Sequence, residues 1–215
     1  VQDIKKLRGQ VEELLDLHFK KEYSSHFDTG KNYLMYHGAK KSILSFLTQE
    51  EKLVENNELV VLGLEKEATR EFEFETKHGI IKTNLRGKID RIDKLNGSLR
   101  IIDYKTGVVK PEDVKATSIE SLFANKSFKE KVFQLLVYDF LMVTENNPTD
   151  DSTSGIISTK AISNGLMELA INKQKPNQEI REEFKIEVAR ILSEIFDTEV
   201  PFEHNENAKY CTYCD

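Results

Sequence analysis

Two aspartates and a lysine are the residues of this chain best placed to do chemistry. Asp90, Asp103 and Lys105 lie in the stretch Gly87-Lys-Ile-Asp-Arg-Ile-Asp-Lys-Leu95, Asn96-Gly97, Ser98-Leu-Arg-Ile-Ile-Asp-Tyr-Lys-Thr-Gly107. Asn-Gly between two alternating runs is a strong signal for a two-residue hairpin loop, because both turn positions need positive φ. With Leu95 facing Ser98, the cross-strand partners follow one after another. Lys94 faces Leu99, Asp93 faces Arg100, Ile92 faces Ile101 and Arg91 faces Ile102. Asp90 then falls opposite Asp103, and Lys88 opposite Lys105. Alternation puts Ile92, Leu99, Ile101, both aspartates and both lysines on one face, and Ile89, Ile102 and Tyr104 on the other.

Directly opposed residues have Cβ atoms about 5 Å apart, and like charges there repel. Two aspartates so placed call for a cation, and a hard divalent ion takes the oxygen ligands that carboxylates and carbonyls offer. Lys105, two residues along the same face, could stabilise a pentavalent phosphorane or lower the pKa of an attacking water. The same residues also fit a solvated hairpin with scattered charges, and a one-residue slip of register would separate the carboxylates.

The elements that must hold this hairpin are legible in the periodicity. Apolar spacing predicts helices over about 2–27 and 31–55, broken at Asp28-Thr29-Gly30, with Gly38 as a point of division. Leu59 to Glu65 is a short apolar run, and Phe72, Phe74 and Thr76 alternate with Glu71, Glu73 and Glu75 as a half-buried strand does. His78-Gly79 reads as a turn. Helices are expected over 128–144 and 177–197, strands over 155–160 and 166–170, and a loop over 146–154.

The chain has 215 residues, 31 Lys+Arg against 37 Asp+Glu, and a net charge of −6. That composition fits a folded helix-rich domain and excludes a disordered tail, a collagen or a disulfide scaffold. No apolar run approaches the ~20 residues of a membrane span. No signal peptide opens the chain, and two cysteines suit a reducing cytoplasm. The acidic balance argues mildly against strong DNA binding by this chain alone. Lys88, Lys105, Lys126, Lys129 and Lys131 make the surroundings of the hairpin locally positive. The start at Val1 and the stop one residue after Cys214 read as the ends of a piece of something larger.

Gly87-Lys-Ile-Asp-Arg-Ile92, followed by Ile102-Asp-Tyr-Lys-Thr-Gly107, resembles the RecB-like branch of the PD-(D/E)XK nucleases, with the AddB-like helicase–nucleases among its members. The resemblance implies an α/β, restriction-endonuclease-like fold: a mixed central sheet flanked by helices, with an N-terminal helical region. It divides the chain into that helical region at 1–56, a nuclease core at 57–200 and a Cys-x-x-Cys segment at 201–215. It implies that Asp90 and Asp103, with the Tyr104 carbonyl and Glu65, bind Mg²⁺ or Mn²⁺, and that Lys105 acts on water. It further implies that Gln134 and Tyr138, four apart on a helix, face one substrate phosphate.

In AddB-like members a closing Cys-x-x-Cys helps to hold a [4Fe–4S] cluster. Cys211 and Cys214 match its start, but such a cluster needs four thiolates, so this chain alone cannot form one. The Gly-x-x-x-His of the family is absent, and Glu67 matches the acidic position less well than Glu65. The implied activity is that of a DNA nuclease, an exonuclease by its relatives. Its implied partner is a helicase subunit, or a helicase-like region of the same polypeptide, in recombinational repair of double-strand breaks. The alternative is an inactive nuclease-like domain that binds DNA or a partner, which loss of the His would fit and the intact Asp, Asp, Lys set opposes. No glycine-rich phosphate loop, Ser-centred elbow or Cys–His arrangement supports a small-molecule enzyme.

Overall fold

A computed structural model describes residues 2–23, 29–123, 128–143 and 152–202. Cys211, Cys214, Lys126 and the expected loop from 146 to 151 lie outside the described residues. Two helices, α1 (Gln2–Tyr23) and α2 (Gly30–Glu55), precede a long ribbon of β1 (Leu59–Thr76) and β2 (Gly79–Leu95). Then come β3 (Ser98–Lys105), β4 (Lys115–Ala116), α3 (Glu130–Met142), β5 (Thr153–Ser158), β6 (Met167–Glu168), β7 (Ala170–Ile171) and α4 (Gln178–Ile195). The main sheet has the order β1-β2-β3-β5-β6; only the β3–β5 pair within it is parallel, and β4 and β7 form a separate parallel pair. This is the α/β architecture expected: a mixed sheet, flanking helices and an N-terminal helical region.

The Asn96-Gly97 turn has φ of 52° and 88°, so both positions are left-handed as the two-residue loop requires. The ladder beyond it runs through Lys94↔Leu99, Asp93↔Arg100 and Ile92↔Ile101 to Arg91↔Ile102, the expected register over those pairs. Three expected elements need correction, the strand over 166–170 among them: it is two short strands, β6 and β7, in different sheets. The runs at 59–65 and 72–76 are one strand of 18 residues. Its middle, Lys66 to Arg70, is mostly exposed on an edge strand, so no apolar alternation marks it. Gly38 does not divide α2, which runs unbroken over 26 residues.

α3 is the most apolar helix, and it lies against the sheet. Val132, Leu135, Leu136 and Phe140 join Phe72 and Phe74 of β1, Ile156 of β5 and Phe184 and Val188 of α4 in the main core. Tyr138 and Leu141 close a second cluster over Ile89, Ile92, Leu99 and Ile101 of the hairpin. A Cβ at Gly87 would come within 2.9 Å of Leu141 Cδ1 and 3.0 Å of Tyr138 Cε1, so glycine lets β2 run this close beneath α3. Arg181 of α4 donates to Asp139 of α3 at 2.7 Å and to Ser152 at 2.9 Å, all buried, which ties both helices to the start of β5.

The opposite face of the hairpin carries charge. Asp93 is fully buried and accepts from Arg91 Nε at 2.6 Å, Arg100 Nε at 2.7 Å and Arg100 Nη2 at 2.9 Å. Arg91 Nη1 also donates to Glu50 of α2 at 2.8 Å and to the Tyr104 hydroxyl at 3.1 Å. Burial alone would lower the Arg91 pKa; Glu50 and Tyr104 reverse this and raise it. α1 packs along α2 through Val11, Leu15 and Tyr36, with Arg8–Glu51 and Lys40–Glu12 ion pairs outside.

One carboxylate thus bonds two buried arginines, with Glu50 as the second acid of the cluster. Asp93→Ala should cost about 3–5 kcal/mol, the usual penalty for stranding a buried charge. Urea unfolding measures it, and a loss below about 1 kcal/mol would show that the cluster is not held as described.

Candidate active site

The site forms where the hairpin opens. The β2–β3 ladder stops at Arg91↔Ile102. The next expected pairs, Asp90 with Asp103 and Lys88 with Lys105, are not ladder pairs. Instead the Asp90 Oδ2 accepts the main-chain N–H of Tyr104 at 2.7 Å. A side chain has taken the place of a strand. β3 remains paired on its other edge, Asp103 with Ile156 and Lys105 with Ser158 of β5. The Lys105 carbonyl accepts from Thr159 N–H at 2.9 Å. Main-chain groups alternate sides along a parallel strand. The N–H and C=O of Tyr104 therefore both turn toward β2, into the gap that it has left.

Like charge disfavours that pair, since opposed residues of a ladder stand about 5 Å apart, and here one carboxylate, Asp103, is buried and the other, Asp90, half-buried. The β1–β2 pairing is irregular at the same point. It passes over Glu65, whose φ is 50°, at the position across from Asp90. The alternation of β2 slips here as well. Ile89, expected beside Ile102 and Tyr104, packs instead with Ile92 and Ile101 under α3.

Around Asp103 the polar groups are shared out closely. This carboxylate is only 3% exposed. Its Oδ1 accepts from Gln134 Nε2 at 3.0 Å, and its Oδ2 lies 2.8 Å from Lys105 Nζ. Lys105 donates to Gln134 Oε1 at 2.9 Å, and Gln134 Nε2 also donates to the Tyr138 hydroxyl at 2.8 Å. Gln134 and Tyr138 share a face of α3, as the i, i+4 spacing requires. Every polar group of Gln134 is thereby engaged. It brackets Asp103 and Lys105, and the hydroxyl of the buried Tyr138 accepts from it and keeps its own proton to donate. Burial pushes the Tyr138 hydroxyl pKa up, so it stays protonated. Burial also raises the Asp103 carboxyl, helped by the charge of Asp90 and opposed by Lys105 and Gln134.

The donor set suits a hard divalent ion. Asp103 Oδ2 is buried and takes no hydrogen bond, although Lys105 stands close. Asp90 and the Tyr104 carbonyl face the same gap. Among the described residues no three His, Cys, Asp or Glu side chains are grouped to hold an ion. The protein ligands on offer are two carboxylates and one carbonyl, a set that fits Mg²⁺, which keeps several waters.

Glu65 is not brought in. It is exposed, and its Oε2 pairs with Lys88 Nζ at 2.6 Å. Of the lysines expected to give a positive rim, the described ones are likewise committed. Lys88 is bound to Glu65, Lys131 lies 3.9 Å from Asp113, and Lys129 donates to the Lys115 carbonyl. Two residues near the site were not picked out from the sequence as parts of it, Arg91 and Glu50. A signal existed for Glu50: it continues the helical stripe of Ile43, Phe46 and Leu47, where a charge needs a buried partner.

Among known proteins, the family model described as the PD-(D/E)XK nuclease superfamily matches residues 2–215. No curated protein matches the sequence. The hairpin whose ladder ends just before Asp90 and Asp103, the lysine two residues on and the match over nearly the whole chain agree: this protein belongs to the PD-(D/E)XK nuclease superfamily.

Proposed function

We propose that this protein is a Mg²⁺- or Mn²⁺-dependent deoxyribonuclease of the RecB-like, AddB-like type, acting as an exonuclease on DNA ends. Membership of the superfamily implies a metal-dependent nuclease. The observation that carries the finer reading is the contact network of Asp103, Lys105, Gln134 and Tyr138 beside the Asp90–Tyr104 bond. A single-stranded DNA end is the substrate that the helicase-coupled relatives suggest. The partner is a helicase subunit, or a helicase-like region of the same polypeptide, in recombinational repair of double-strand breaks. A cytoplasmic location goes with that role, and no described helix is long and apolar enough to cross a membrane.

In this reading Asp90, Asp103 and the Tyr104 carbonyl hold the ion. When bound, the ion supplies positive charge to the phosphate and makes its water more acidic. Lys105, held by Gln134, offers its ammonium to the same phosphate or water. Tyr138 directs its hydroxyl proton at a phosphate oxygen and so orients the backbone. Glu65 adds a third carboxylate only by leaving Lys88, a pair exposed enough to break at little cost. Cys211 and Cys214 would contribute two thiolates to a [4Fe–4S] cluster, with two more from outside this chain.

Asp103→Asn should lower Mn²⁺-dependent hydrolysis of linear DNA about 100-fold or more, as loss of a preorganised charge in a site does. Without metal it should melt at the same temperature as wild type or higher, because it removes a charge that burial disfavours. An active variant, or one that unfolds, would oppose the assignment. Lys105→Met should likewise cost about 100-fold in rate, while calorimetry still shows Mn²⁺ binding. Wild-type protein inert with every divalent metal would favour the inactive nuclease-like reading.

A further inference from the structure

We infer that Glu50 and Arg91 are positioning residues, through which α2 sets the Tyr104 peptide at the open end of the hairpin. The inference rests on the metal-dependent reading above. Arg91 is the last residue of β2 paired to β3, and Asp90 is the first that is not. Whatever fixes Arg91 therefore fixes the point at which β2 departs. Its guanidinium is held by Asp93 at 2.6 Å and Glu50 at 2.8 Å, with side-chain exposures of 5% for Arg91 and 12% for Glu50.

Tyr104 joins the two sides. Its hydroxyl accepts from Arg91 Nη1 at 3.1 Å, and its ring meets Phe46 of α2 edge-on, centroids 5.5 Å apart. Its own N–H is the group bound to Asp90 at 2.7 Å, and its carbonyl faces the gap. One residue thus carries the α2 contact on its side chain and a proposed ligand on its main chain. With the phenol gripped at both edge and tip, the side chain anchors the residue whose peptide lines the gap.

Stability alone accounts poorly for this arrangement. A buried ion cluster is commonly no more stable than well-packed apolar residues of the same volume. Here one donor, Arg91 Nη2, is buried and finds no protein acceptor. Apolar residues at positions 50 and 91 would also dock α2. They would not hold the phenol at a fixed point, which a planar guanidinium with several directed donors does.

The test uses the full chain and Mn²⁺ alone as probe. Glu50→Gln and Tyr104→Phe should each weaken Mn²⁺ binding in calorimetry about tenfold, the usual effect of losing a group that orients a metal ligand. The Tyr104 amide should exchange faster in both, while the β5 amides and the melting temperature hold. If Tyr104→Phe does not fold, Phe46→Leu tests the same grip from the α2 side. Wild-type Mn²⁺ affinity and Tyr104 protection in these variants, with binding still lost in Asp103→Asn, would overturn the positioning role and leave the metal site standing. Undiminished Mn²⁺ binding by Asp103→Asn would remove the metal reading, and the inference with it.

Discussion

Two carboxylates facing each other across a ladder, one of them buried, repel without a cation between them, and the hairpin is built around that constraint. At its closed end, Asn96-Gly97 and the Asp93–Arg91–Arg100 cluster lock β2 to β3. At its open end, Asp90 gives up the ladder and binds the Tyr104 N–H by its side chain. The like charge gathered where the ladder ends is what a divalent ion would relieve. The same feature that interrupts the sheet is therefore the one that makes a site.

The rest of the molecule holds the gap open at a fixed width. β5 grips the far edge of β3, so β3 cannot swing to follow β2. α3 lies across both strands, with Leu141 and Tyr138 packed on Gly87 and Ile89 and with Gln134 reaching Asp103. Its register along the sheet is set by the buried Asp139–Arg181 pair, and Arg70 of β1 caps its end by donating to the Phe140 and Val143 carbonyls. A half-turn shift of α3 would lose these contacts and the Gln134 bracket together. The N-terminal helices act from the other face, through Glu50 and Phe46.

Much of this was legible in the sequence, because period-2 alternation and a two-residue turn determine a register outright. Leu95 to Arg91 pair with Ser98 to Ile102 as the spacing requires. The helices fall within a few residues of their apolar stripes. What could not be read is where pairing stops. Asp90 and Asp103 fit the alternation as well as any pair, and only their charge hints that the ladder ends there. The sidedness of Ile89 failed for the same reason, since an irregular step leaves no mark on an apolar residue. Glu65 shows the opposite limit: a motif position can be matched by sequence while its side chain points to a neighbouring lysine.

The most direct test of the central claim is a crystal structure with Mn²⁺, read by its anomalous signal. The account predicts one peak in the gap between β2 and β3, about 2.0–2.6 Å from an oxygen of Asp90, an oxygen of Asp103 and the Tyr104 carbonyl. Lys105 should then have left Asp103 Oδ2. A peak elsewhere on the molecule, or an empty gap with Asp103 still paired to Lys105 at saturating Mn²⁺, would contradict it.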